Sequence, residues 1–133
     1  MQQIINGNLV LTKIISYISE NDLFQKNLRN SKILECKING NNINVNKYKK
    51  LLIHVYSDID TNIIIQNTIL NITTEKIWEK GFEYHDTLNI SIQGADAKRT
   101  LKEIIKMISV KNHTMELKIK LNDDEIINYK THN

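Results

Sequence analysis

The chain has 133 residues, with 18 Lys and Arg against 15 Asp and Glu, one Cys and no Pro. At that size a chain buries about two-thirds of the surface its unfolded form exposes, enough for one core without disulfides or a structural metal and too little for a second domain. Residues 1–133 are therefore expected to form one domain. With 41% hydrophobic and 25% charged residues the composition excludes disorder as the main state, and a net charge of +3 with its cations spread along the chain does not mark a nucleic-acid binder.

Leu11, Ile14, Ile15 and Ile18 recur at three- and four-residue spacing, which predicts a helix over 9–19 capped by Asn8. A second short helix is expected over Asp22–Leu28, capped by Asn21. From Ser31 the period changes to two: Leu34, Cys36 and Ile38 alternate with charged residues, and after Asn39-Gly40-Asn41 the alternation resumes at Ile43 and Val45. Asn-Gly between alternating runs predicts a hairpin.

Leu51–Tyr56 and Ile63–Ile72 are apolar, β-branched runs and read as strands, the second central and buried on both faces. Thr74–Lys80 reads as a short helix stopped by Gly81, with Trp78 anchoring it to the core. Leu88, Ile90 and Ile92 then alternate, Gly94 breaks the strand, and Asp96 caps a helix with Ala97, Leu101, Ile104, Ile105 and Ile108 on one stripe. Met115, Leu117, Ile119 and Leu121 form a second strictly alternating strand, and the residues beyond are expected to fray. If the two strands are parallel neighbours the crossover is right-handed; if not, an α+β arrangement results. The expected class is α+β: N-terminal helices, a mixed, mostly antiparallel sheet and a C-terminal strand-helix-strand unit.

The chemistry-bearing residues are sparse. Cys36 falls on the apolar face of a strand, where a thiol behaves as a small hydrophobe. The four His are scattered without metal-ligand spacing, and His54 on a strand face beside Leu52 and Tyr56 is expected to be partly buried. No metal, cofactor or catalytic group is expected. Asp58 and Asp60 lie in a turn and Asp123, Asp124 and Glu125 near the end, where they would offer an acidic surface to a basic protein partner.

Two basic features remain. Lys98 and Arg99 lie in the first turn of a helix, where cations oppose the macrodipole, so that end would hold an anion unless Asp96 pairs locally with Arg99. Lys47-Tyr48-Lys49-Lys50 interleaves an aromatic with cations, as a single-strand nucleic-acid contact does, although a solvated strand end has the same composition. The N-terminus MQQIINGNLV has no basic stretch followed by an apolar run, and no apolar run approaches about 20 residues, so neither a signal peptide nor a membrane span is expected and the compartment is expected to be the cytoplasm.

The segment Asp86–Ile108, DTLNISIQGADAKRTLKEIIKMI, together with the chain length and a strong Ile, Asn and Lys bias, resembles immunity proteins of bacterial contact-dependent growth inhibition and related polymorphic toxin systems. The resemblance covers under a fifth of the chain. It implies a cytoplasmic protein without catalytic activity that binds the toxin domain of a cognate effector. Inhibitors of nuclease toxins tend to be acidic, and the net charge of +3 departs from that tendency. The second reading is a small nucleic-acid-binding protein of phage or mobile-element origin, using Lys47, Tyr48, Lys49, Lys50, Lys98 and Arg99.

Overall fold

The computed structural model describes residues 15–131, together with the backbone of Gln2–Ile5 (β1) and Asn8–Leu11 (β2), which pair antiparallel. The expected helix over 9–19 is therefore not formed: Asn8–Leu11 is strand, residues 12–14 lie outside the described residues, and Tyr17 and Ile18 are extended. Ile18 donates its N–H to the Asn128 carbonyl at 2.9 Å, and Tyr17 makes a parallel bridge to the same residue. Pairing with a distant strand overrides the helical spacing. The second expected helix is shortened to α1 (Glu20–Leu23), with Ser19 rather than Asn21 accepting the Asp22 N–H as its cap.

The hairpin forms as expected. β3 (Lys32–Ile38) turns at Asn39 and Gly40, both with positive φ (51° and 80°), into the short β4 (Asn41–Asn42). That is the two-residue turn that Asn-Gly favours. Strict alternation in β3 is interrupted by a bulge between Ile33 and Glu35, so Ile33 and Cys36 are buried while Leu34 turns outward.

The middle of the chain differs most from expectation. Residues 51–56 belong to a helix, α2 (Tyr48–Tyr56), and 61–67 to another, α3 (Thr61–Asn67). In α2 the buried residues Tyr48, Leu51, Leu52, Val55 and Tyr56 follow the helical three-four spacing, a stripe that begins inside the basic tetrapeptide. For α3, Asp60 accepts the Asn62 N–H at 2.9 Å as its cap, and only Ile64 of the three consecutive isoleucines is buried. Local capping and a single inward position outweigh β-propensity there.

β5 (Ile72–Thr73), β6 (Phe82–His85) and β7 (Ile90–Gln93) make a small antiparallel sheet in the order β5-β7-β6. The expected helix over Thr74–Lys80 is instead an irregular crossing over this sheet. Fully buried Ser91 pins it, donating to the Glu75 carbonyl and accepting the Ile77 N–H at 2.9 Å. Trp78 is not a core anchor: it is 66% exposed.

The last third follows the sequence closely. α4 (Ala97–Val110) is capped by Asp96, which accepts the Arg99 N–H at 2.8 Å, and buries Leu101, Ile104, Met107 and Ile108. β8 (Met115–Lys120) buries every second residue. The residues after Leu121 do not fray: β9 (Ile126–Lys130) pairs with β8 and buries Ile127 and Tyr129. β3, β4, β8 and β9 form an antiparallel sheet in the order β4-β3-β8-β9, so β7 and β8 lie in different sheets and α4 links the two. The fold is α+β, with separate antiparallel sheets in place of one mixed sheet. The buried residues of both sheets, α2, α3 and α4 join one hydrophobic cluster. Among the described residues no helix is long and apolar enough to cross a membrane.

Candidate functional site

The acidic residues are divided between the two ends of the four-stranded sheet. Asp123, Asp124 and Glu125 form the β8–β9 turn, at the end where Lys32 faces Lys120. The turn is closed by the Leu121 N–H to the Glu125 carbonyl at 2.8 Å, the Asp124 N–H to the Leu121 carbonyl at 3.0 Å, and the Asp123 carboxylate accepting the Glu125 N–H at 3.0 Å. Two ion pairs flank it, Lys26–Glu125 at 2.9 Å and Lys120–Asp124 at 3.3 Å. The hydrogen bond and charge of Glu125 raise the Lys26 ammonium above its ordinary value. Asp124 still presents 82% of its side chain to solvent.

Asp58 lies at the other end of the sheet, where Ile38 faces Met115, in a hollow shared with His54, Lys111 and His113. Strand rise over the six residues of β8 separates the two ends by about 17 Å. Asp60 is committed to capping α3. The five residues do not make one surface; the β8–β9 turn is the acidic cluster.

The basic candidates are also divided. Asp96 satisfies the start of α4 through the backbone N–H of Arg99, while the Arg99 guanidinium donates to the Ile69 carbonyl. Lys98 is exposed beside Lys26 and Arg29. Of the basic tetrapeptide, Tyr48 is buried with its hydroxyl 2.7 Å from that of Ser31, so its ring offers no stacking surface. Lys49 pairs with Glu83, and Lys47 and Lys50 are exposed.

Cys36 is buried, as expected, and burial pushes its thiol up to about 11. A thiolate-selective reagent at neutral pH is therefore expected to label the native protein only as fast as it opens, and to label it at once in denaturant. Rapid stoichiometric labelling without denaturant would show an accessible thiol. His54 is exposed on α2, not partly buried on a strand, because residues 51–56 are helical. Among the described residues, no group of three His, Cys, Asp or Glu is placed to hold a metal ion.

Two features escaped the sequence. The first is Glu103, fully buried on the inward stripe of α4. Its carboxylate accepts from the hydroxyls of Tyr56 and Thr68 and from the Ile69 N–H at 3.1 Å, tying α2 and the α3–β5 connection to α4. Burial, then the bond to Glu103, hold the Tyr56 phenol well above its ordinary pKa. The position after Lys102 falls on the apolar stripe, and that spacing was the available signal. The second is an aromatic pair on the three-stranded sheet: Trp78 meets Tyr84 edge-on at 5.5 Å, with the Lys76 ammonium 5.3 Å from the Tyr84 ring centre. On the opposite face of β6, Glu83 and His85 line a cleft of about 90 Å³ with Lys49, Leu52 and Ile53 of α2. The His85 Nε2 in it is buried without a hydrogen-bond partner among the described residues.

No family model, curated protein or solved structure matches the chain.

Proposed function

We propose that this chain is a binding protein rather than an enzyme: a cytoplasmic immunity protein that neutralises a cognate bacterial toxin domain by protein–protein contact. The observation that carries this reading is the β8–β9 turn. Three consecutive acidic residues are held in one shape by backbone hydrogen bonds and ion pairs, with Asp124 projecting into solvent. A preordered loop loses little freedom on docking, and its charge steers a basic partner into register. The resemblance of Asp86–Ile108 to immunity proteins supports the same reading, and that segment supplies β7 and most of α4.

The test is genetic and biochemical together. A cognate toxin domain, sought in the reading frames neighbouring this gene, is expected to arrest growth when expressed alone and to be silenced by co-expression of this chain, with a one-to-one complex recovered. Reversing Asp123, Asp124 and Glu125 to Lys, which removes both the charge and the side-chain contacts that hold the turn, is expected to slow association with that domain about 10- to 100-fold at low salt. No rescue and no complex would overturn the proposal. A complex indifferent to the triple reversal would move the contact away from the turn.

A further inference from the structure

β6 is an edge strand of the three-stranded sheet. In the order β5-β7-β6 this strand has, among the described residues, a neighbour on one side only. The Gly94 N–H donates to the Gly81 carbonyl, which sets the alternation of the β6–β7 ladder: Glu83 and His85 direct their backbone groups to β7, and Phe82 and Tyr84 direct theirs outward. The Phe82 N–H is taken by the Glu79 carbonyl. The Tyr84 N–H and C=O are left without a partner among the described residues.

We infer that β6 pairs antiparallel with β6 of a second copy of this chain, about a two-fold axis at Tyr84. An outward N–H and C=O on one residue are self-complementary under that symmetry, since each Tyr84 donates to and accepts from the other. The register places Glu83 opposite His85 of the second copy, and His85 opposite its Glu83. These are non-hydrogen-bonded positions, where facing side chains approach most closely. A carboxylate thus faces an imidazole twice, beside the Lys49 that pairs with Glu83 in its own chain. On the other face the two Tyr84 rings become neighbours, each flanked by its own Trp78. The row of four aromatics covers a tryptophan that is 66% exposed in the single chain. The two three-stranded sheets become one of six, and the edge that invites uncontrolled pairing is closed.

Sedimentation velocity on the full chain is the test, from about 5 to about 500 μM, the range suited to a small, four-residue contact. The mass is expected to rise from 15.5 kDa toward twice that value. Tyr84→Pro removes the outward N–H at an edge position where proline is tolerated, and is expected to keep the chain monomeric throughout. Glu83→Lys leaves the backbone intact and sets a cation against the opposing imidazole, and is expected to weaken dimerisation about three- to tenfold. It also decides the matter if the proline variant does not fold. A mass fixed at 15.5 kDa across the range, or a dimer that both folded variants form as readily as the parent, overturns the inference.

Discussion

Replacing Glu103 with Ala is expected to lower stability by about 3 kcal/mol or more, moving the urea midpoint down by at least about 1 M. Removal of the carboxylate leaves the buried Tyr56 hydroxyl with only the long 3.5 Å contact to Thr68 Oγ1 and frees the Ile69 N–H, each bonded to Glu103 in the folded chain. A buried donor left without an acceptor costs about 1–3 kcal/mol. Thr68 and Ile69 are only partly buried, so water repays some of their loss. Glu103→Gln keeps the shape but turns one acceptor into an NH2 that faces either the Ile69 N–H or two hydroxyls that must reorient to accept from it, and an intermediate loss of about 1–2 kcal/mol is expected. Equal midpoints for the parent and Glu103→Ala in equilibrium urea unfolding would mean that the carboxylate does not tie α4 to the α3–β5 connection.

The second large effect separates neighbours in α3. Ile64 is 1% exposed, whereas Ile63 and Ile65 are each 40% exposed. Ile64→Ala is expected to cost about 2–5 kcal/mol, the range for a large-to-small change in a close-packed core. Ile63→Ala and Ile65→Ala are expected to cost less than about 1 kcal/mol, because the lost contact is small and Ala favours the helix. A central strand buried on both faces would make all three substitutions severe. Comparable losses at 63, 64 and 65 would therefore restore the strand and remove the helix.

These two sites show why the middle of the chain was hard to read from residues alone. Ile63-Ile64-Ile65 has high β-propensity, which measures how well a side chain fits a half-buried pleated surface rather than an intrinsic backbone preference. The cap at Asp60 and the single inward position at Ile64 decided for helix. In α2 the helical spacing of Tyr48, Leu51, Leu52, Val55 and Tyr56 was present all along. Its first member stands among lysines, a composition that a single-strand nucleic-acid contact shares with the solvated first turn of a helix. Trp78 differs from expectation for the opposite reason: its size and hydrophobicity suit an anchor, while Ser91, a small polar residue, does the anchoring.

What the sequence by itself determined is local: the Asn39-Gly40 turn, the Asp96 cap and stripe of α4, the alternation of β8 and the burial of Cys36. Each follows from short-range sterics, capping or periodicity, which act within one or two turns of chain. Only the tertiary structure decided the rest. Residues 17 and 18 became extended by pairing with β9, and β7 and β8 went to separate sheets. Asp58 was parted from Asp123–Glu125 along the length of β8, and Glu103 gained three donors from segments 34 to 47 residues away. Those outcomes depend on partners distant in the chain, and neither propensity nor spacing carries their positions.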